Sequence, residues 1–487
     1  MTSTHSRPWR RALIAGLAAG AMTLGMAPAA MAAPGDWTQL SAFPSTTAKP
    51  KMSIIDIPTV ARFGSALQVV WNGEGTSGEN YYTAIVDGAG AVTTPSREII
   101  SNWSTVTENA ALMSLGGQRF LAFSGLQSTT TGAPYTSGAE YYATSPDGQT
   151  FTLGAGTLSH TTTAYGAYGN DIVDNAGTPV WVGNAGTTNG VSWHSGISPT
   201  DPAPDGSDGH FGLTGCCAYN AAGARDPATG AVYAAFYSNS SGSAEQGVQV
   251  GQILPTQGAF TQAPGSITTN DYGTNSVAPT QRIALVGRPG GGIYAAYTMG
   301  YPSVTSIRVW HVGTGDTMDV PAPQSSAVSL SADPSGRLWL TFAQGDRIKV
   351  VHTNKAATAF GAMGTWGAPR GTVDLWKTAT AATDGTLDIV ATASDKTEKV
   401  NVWHTQAVRT LSIKGSPNPV RRGADVTFTV TDAGDPVSGV SVKFGGRTAT
   451  TNGAGKATIV APGSRGKAGA SAKKAGFNEG KAVLRVR

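Results

Sequence analysis

Glu108, Asp171 and Arg282 are the side chains of this 487-residue chain that could be combined to hydrolyse a glycosidic bond. That chemistry needs one carboxyl group to protonate the leaving oxygen and a second to act as nucleophile or base, while an arginine holds an anionic substituent. No motif fixes the separation of these carboxylates. A second pattern is denser. Trp103, Glu108 and Asn109, then Tyr168, Asn170 and Asp171, then Tyr219 and Asn220, then Gln281 and Arg282, and later Trp376 fall ahead of, or open, apolar strand-like runs. Aromatic faces cover the apolar C–H patches of sugar rings, and amide, carboxylate and guanidinium groups take hydroxyls in pairs. Recurrence of these types in one position points to carbohydrate binding without catalysis. Hydrolysis or lysis of a glycan is the alternative, and a protein-interaction scaffold at the cell wall is a further one.

Cys216 and Cys217 are the two cysteines and are neighbours. Adjacent Cα atoms lie about 3.8 Å apart, below the usual disulfide range of about 4.4–6.8 Å. A bond between them closes a strained, rigid turn, and its flat disulfide would offer a sugar ring a hard apolar surface. A vicinal disulfide contributing to the ligand site is the expectation; two reduced or intermolecularly bonded cysteines are the alternative. His194, His311, His352 and His404 recur in equivalent strands, which keeps them apart, so they are read as packing rather than a metal cluster. Asp201, Asp205 and Asp208 are read as an acidic turn. With no P-loop, no nucleophile elbow and no dinucleotide fingerprint, no metal and no cofactor are expected.

The elements that position these residues come from a repeat. A Gly turn followed by alternating apolar residues appears at Gly64–Trp71, Gly117–Phe123, Gly177–Val182, Gly230–Phe236, Gly292–Tyr297, Gly336–Phe342 and Gly385–Val390. The first apolar positions are 67, 120, 180, 232, 293, 338 and 387. An apolar segment precedes each turn and a further strand follows, as at Glu140–Thr144, Ser306–Trp310 and Val400–Trp403. Period-two alternation and four strands in about 50 residues describe a propeller blade. Seven copies predict an all-β, seven-bladed β-propeller over residues 33–408. Short strands between Gly, Asp and Pro turns predict a small β-sandwich over residues 409–487.

Composition agrees with many turns and few helices: 64 Gly, 27 Pro and only 13% charged residues, against about 25% charged in a typical domain. Arg7, Arg10 and Arg11, an apolar run from Ala12 to Met26 and the Ala30-Met31-Ala32 site read as a secretory signal, residues 1–32, by either general or twin-arginine export. The expected product is secreted, extracellular or wall-associated, with no membrane span and no nucleic-acid partner. Its charge is divided. Residues 409–487 hold 14 Lys/Arg and 4 Asp/Glu, a net of +10, whereas the stretch between signal and tail carries −9. Two readings follow: the tail domain holds an anionic cell-wall polymer, or it docks on the acidic propeller.

Ser145-Pro-Asp-Gly-Gln-Thr-Phe151 resembles the Asp-box turn of sialidase-like propellers, one residue short and present once. Val440–Ala457 resembles the second half of bacterial immunoglobulin-like surface modules. By architecture the chain is similar to secreted seven-bladed propeller lectins of Gram-positive bacteria. That resemblance implies a glycan of a cell surface or polysaccharide as partner. Such propellers also serve as targeting subunits of secreted antibacterial toxin particles, a role the resemblance leaves open here.

Overall fold

The computed structural model describes residues 36–42, 58–74, 79–104, 110–127, 139–157, 170–183, 190–195, 209–213, 218–238, 246–267, 283–395 and 400–487. All secondary structure there is β, in repeated antiparallel sheets in which consecutive strands are neighbours. The opening strand β1 (Thr38–Ala42) is set aside by the chain for later use. Next come β2 (Thr59–Phe63), β3 (Ala66–Glu74), β4 (Glu79–Val86) and β5 (Val92–Ser104). The second sheet is β6 (Ala111–Leu115), β7 (Gln118–Gln127), β8 (Ala139–Ser145) and β9 (Thr152–Thr157). The third is β10 (Asn170–Asn175), β11 (Thr178–Gly183), β12 (Gly190–Ser195) and β13 (Gly209–Gly212). The fourth is β14 (Ala218–Arg225), β15 (Val232–Ser238), β16 (Gly247–Leu254) and β17 (Thr261–Gln262). The fifth is β18 (Ala284–Gly287), β19 (Ile293–Met299), β20 (Ser306–His311) and β21 (Thr317–Pro321). The sixth is β22 (Ser325–Ala332), β23 (Leu338–Gln344), β24 (Arg347–His352) and β25 (Gly364–Gly367). The last has β26 (Thr372–Thr383), β27 (Thr386–Asp395) and β28 (Val400–Thr410), completed by β1 from the other end of the chain, Thr38 opposite His404.

Each Gly-turn run picked out in the sequence is the second strand of one of these sheets. The turn works because glycine takes the positive φ that closes it, as at Gly230 (φ 77°) and Gly336 (φ 85°). First strands touch in succession, β2 to β6, β6 to β10 and on to β26, and β26 returns to β2. The apolar core lies between sheets. Val70, Tyr81 and Ile100 meet Leu112, Leu121 and Phe123 across the first gap. Leu67, Val69 and Trp71 meet Leu40, Val390 and Val402 across the closing one. Both faces of each sheet are therefore covered, which is why the strands read as near-continuous apolar runs rather than one-sided stripes.

The histidines sit in this packing. His194 faces Trp181, His311 stacks on Tyr294 and His352 tilts against Trp339, each pair directly opposite in adjacent strands. His404 donates from Nε2 to Asp388 at 2.7 Å. Asp388, fully enclosed, also accepts from Gln406 Nε2 at 3.0 Å and pairs with Arg62, so it joins the first sheet to the last. Burial, with the Arg62 guanidinium adding to it, lowers the His404 pKa to about 4, so the ring is neutral at neutral pH.

Residues 411–487 form two further sheets. One contains β29 (Ser412–Ser416), β30 (Asp425–Asp432), β31 (Asp435–Pro436) and β34 (Lys456–Val460). The other runs β33 (Arg447–Thr450), β32 (Ser441–Phe444), β35 (Gly466–Lys473) and β37 (Gly480–Val486). They share a core around Val426, Phe428, Val442, Phe444, Ala472 and Leu484. Leu411 alone separates β28 from β29, and a parallel bridge of Arg409 and Thr410 to β36 (Phe477–Asn478) fixes the junction further.

The contact between this region and the sixth sheet has the opposite polarity to the one the charge totals suggest. The β30–β31 hairpin supplies carboxylates, and the sheets supply the cations. Asp432, 1% exposed, receives Arg337 (3.3 Å), His352 Nε2 (3.1 Å) and Arg409 (3.5 Å). Asp435 receives Arg337 at 2.6 Å and the Lys355 backbone N–H at 2.9 Å. Docking of a basic tail on an acidic surface is thus not how the two regions meet; two of the tail's own four acids do the work.

Candidate functional site

The first strands enclose a cavity of about 450 Å³, lined among others by Thr59, Arg62, Asp171, Ile283, Ser329 and Thr378. Backbone ladders run within sheets, so neighbouring first strands need other links. β22 and β26 are joined by a row of hydroxyls. Ser329 Oγ meets Thr378 Oγ1 at 2.9 Å, and Ser331 Oγ meets Thr380 Oγ1 at 2.6 Å. Contacts two residues apart on both strands mean that β22 and β26 run parallel, with their starts at the same end of the cavity. Elsewhere the links are single: Leu112 N–H to Thr59 Oγ1 (3.0 Å), and Gly223 N–H to Asp171 Oδ2 (3.1 Å).

Three of the seven first strands, β14, β22 and β26, share a distortion near their starts. In β14 the register slips between Tyr219 and Ala222, and Asn220 takes φ 59°. In β22 it slips between Ser326 and Ser329, and Ala327 takes φ 52°. In β26 it slips between Leu375 and Lys377, making Trp376 the extra residue. A bulge turns a carbonyl out of its own ladder. Here the freed carbonyls reach the next sheet: Asn220 O accepts from Ile283 N–H at 3.2 Å, and Ala327 O accepts from Thr378 Oγ1 at 2.7 Å. Asparagine tolerates the left-handed region, but alanine there is strained.

The opposite end is closed upon itself. Asp147 accepts from the N–H groups of Gln149 (2.8 Å) and Thr150 (3.0 Å), which with Ser145 hold its pKa at about 2. Gly148 O accepts from buried Gln68 of the neighbouring sheet at 2.8 Å. Asp226 binds Ala228 N–H and, across the gap, Gly292 N–H. Asp333 accepts from Ser335, Arg337 and Trp339 Nε1. These turns hold neighbouring parts together and have little left for a ligand.

Of the residues singled out in the sequence, the structure places Asp171, Tyr219 and Asn220 together at the starts of β10 and β14. Asp171 lines the cavity, with Oδ1 accepting from Ile172 N–H and Oδ2 from Gly223 N–H. Asn220 is buried, and Tyr219 leans on the apolar layer containing Tyr237, whose own hydroxyl is pushed up to about 12 by burial and by Tyr219. Trp103, Asn170 and Trp376 have described backbone positions in β5, β10 and β26, Trp103 pairing with Gln127 where the first two sheets join. Glu108, Asn109, Tyr168, Cys216, Cys217, Gln281 and Arg282 lie outside the described residues, as do Asp201, Asp205 and Asp208. Trp366, Phe211 and His210, which precede the same runs, have packing roles. Trp366 is buried between sheets, Phe211 stacks on Phe260 at 4.3 Å, and His210 bonds Ser192. Ser329, Ser331, Thr378 and Thr380 were not foreseen, although hydroxyls at i and i+2 are a readable sign of one strand face.

Among the described residues, Asp171 is the one carboxylate lining the cavity, and no group of three or more His, Cys, Asp or Glu side chains could hold a metal ion. No helix is long and apolar enough to cross a membrane among the described residues.

No protein-family model matches the chain. No curated protein matches it. Solved structures similar to it include the polysaccharide lyase Uly1, at 10% identity and a TM-score of 0.42, covering 75% of this chain and 92% of that one. A Trypanosoma rangeli sialidase gives 8% identity and 0.38, covering 77% of this chain and 58% of that one. Chaetomium thermophilum Sqt1 gives 11% identity and 0.40, covering 75% and 97%. Scores below 0.5 across such different proteins describe a loose likeness that carries neither activity nor ligand.

Proposed function

We infer that the chain is an exported, non-enzymatic carbohydrate-binding protein, a seven-bladed propeller bearing an immunoglobulin-like module, which takes its glycan at the end of the ring where the first strands start. The difference between the two ends carries this reading. At one end Asp147, Asp226 and Asp333 are consumed by their own turns and neighbouring sheets. At the other, bulges interrupt β14, β22 and β26, and Asp171 at the start of β10 lines the cavity. Bulges concentrate where side chains must be re-aimed toward a site. The residues that precede β10 and β18 in sequence include Tyr168, Gln281 and Arg282, the aromatic and polar types a sugar requires. Among the described lining residues Asp171 is the one carboxylate, and with both oxygens bonded to backbone N–H groups it is a poor half of a two-carboxyl mechanism, which favours binding over hydrolysis.

A glycan array on the intact chain tests this, followed by Tyr168→Ala and Arg282→Ala. Each substitution should lower affinity by roughly tenfold or more, the worth of a stacking face or a charge-assisted bond, with little change in melting temperature. Retained binding in both variants refutes the site, and turnover of chromogenic glycosides or release of unsaturated products from polysaccharides refutes the non-enzymatic reading.

A further inference from the structure

The tail region meets the ring through Asp432 and Asp435, so its cations are left over. They are not spread evenly. On the sheet β33–β32–β35–β37, Val442, Phe444, Ala470, Ala472, Leu484 and Val486 point into the core, and the alternate positions point out. Residues directly opposite in adjacent strands share a face. One outward row is therefore Thr448, Lys443, Ser471 and Lys481. Beside it lie Thr450, Ser441 and Lys473, and further along the strands Gly469 with Val483, then Lys467 with Arg485. This gives five cations on one exposed face, with Lys473 and Lys481 exposed at 70% and 76%. Glu479 lies at its edge, 3.5 Å from both of those lysines, and its own pKa is lowered.

We propose that this outward sheet face binds a linear polyanion whose charges are phosphodiester groups. Lys443 and Lys481, two strands apart, are roughly 10 Å from each other, and Lys481 to Arg485 is about 13 Å along the strand. The footprint is that of one extended chain. Four of the five cations are lysines, which meet phosphate as point charges without demanding one fixed geometry. Ser441, Ser471, Thr448 and Thr450 set hydroxyl donors between the charges, suited to phosphate oxygens or a polyol backbone. The face carries no aromatic side chain on which nucleic-acid bases could stack, and Val483 is its single large exposed apolar residue, too little to enter a lipid interface. This inference is independent of the glycan site at the ring.

The intact chain should be retained by immobilised poly(glycerol phosphate), and released as salt rises and the Debye length shrinks. The triple variant Lys443→Ser, Lys473→Ser, Lys481→Ser should weaken retention roughly tenfold or more at low salt. A control with Lys414→Ser, Arg422→Ser and Lys456→Ser removes the same charge outside this sheet face and should weaken it much less. Circular dichroism and melting temperature should match across all three proteins, since every substituted residue is exposed. Equal loss in both variants, no retention of the intact chain, or tighter capture by duplex DNA or phosphatidylserine vesicles than by the polymer would each overturn the proposal.

Discussion

Asp388 and Asp432 are buried carboxylates served by an arginine and a histidine, yet they join different things. Asp388 links the first sheet of the ring to the last, through Arg62 on one side and His404 and Gln406 on the other. Asp432 links the ring to the tail domain through Arg337, His352 and Arg409. The ring junction is shorter and rests on one carboxylate. The domain junction is looser, with distances of 3.1–3.5 Å, and duplicated, because Arg337 also reaches Asp435 at 2.6 Å and the Thr353 carbonyl at 2.9 Å. A charge removed from a buried pair strands its partner, so redundancy decides the damage.

That contrast can be broken in order of size. Asp388→Ala leaves the Arg62 guanidinium and His404 facing an emptied site, and chemical denaturation should show a loss of about 3–5 kcal/mol. A loss under about 1 kcal/mol would mean that the closing junction does not need its carboxylate.

The next effect is one of pH. His404 is held neutral, with a folded pKa of about 4 against 6.5 for the free side chain. The unfolded chain therefore takes up a proton first as pH falls. Stability from this group is complete above pH 6.5 and drains away between 6.5 and 4, by about 3 kcal/mol in all. The same titration on His404→Gln should lose most of that slope; an unchanged slope would assign it to other groups.

Asp432→Ala should cost less, about 2 kcal/mol, because Asp435 keeps Arg337 occupied. Hydrogen exchange should place the change at the β30–β31 hairpin and the β22–β23 turn rather than throughout the ring. Smallest of the set, Gly148→Ala forces a Cβ into buried Gln68 at φ 74° and should lower stability by about 1 kcal/mol or slightly more. Its thermal shift should remain below that of Asp432→Ala.

The sequence showed the strands far better than the junctions. A Gly turn followed by alternating apolar residues is a local signal, and Leu67, Phe120, Val180, Val232, Ile293, Leu338 and Leu387 all lie in second strands for that reason. His194, His311 and His352 were readable as packing from their recurrence in equivalent strands, and each has an aromatic residue opposite. Nothing local ties Arg337 to Asp432, 95 positions later, and net charge misled, because a domain with +10 overall docks by its few acids. The candidate site was read from residue type and position along the repeat. The bulges at Asn220, Ala327 and Trp376 were not, since register slips arise from how sheets meet, and Ala327 has no preference for the backbone it adopts. Trp366 and Phe211 show that an aromatic ahead of an apolar run can pack between sheets.

The ring is closed by β1, whose partner β28 arrives at the far end of the ring's sequence: Thr405 Oγ1 bonds Asp36 O across 369 positions. During synthesis β1 must wait for β28, and the search grows with the intervening loop. Sheets two to six can form as each is completed, but the last sheet keeps an open edge along β28 until β1 returns. A second copy's β1 would fit that edge equally well, so at high concentration exchanged dimers are the characteristic folding error of this topology.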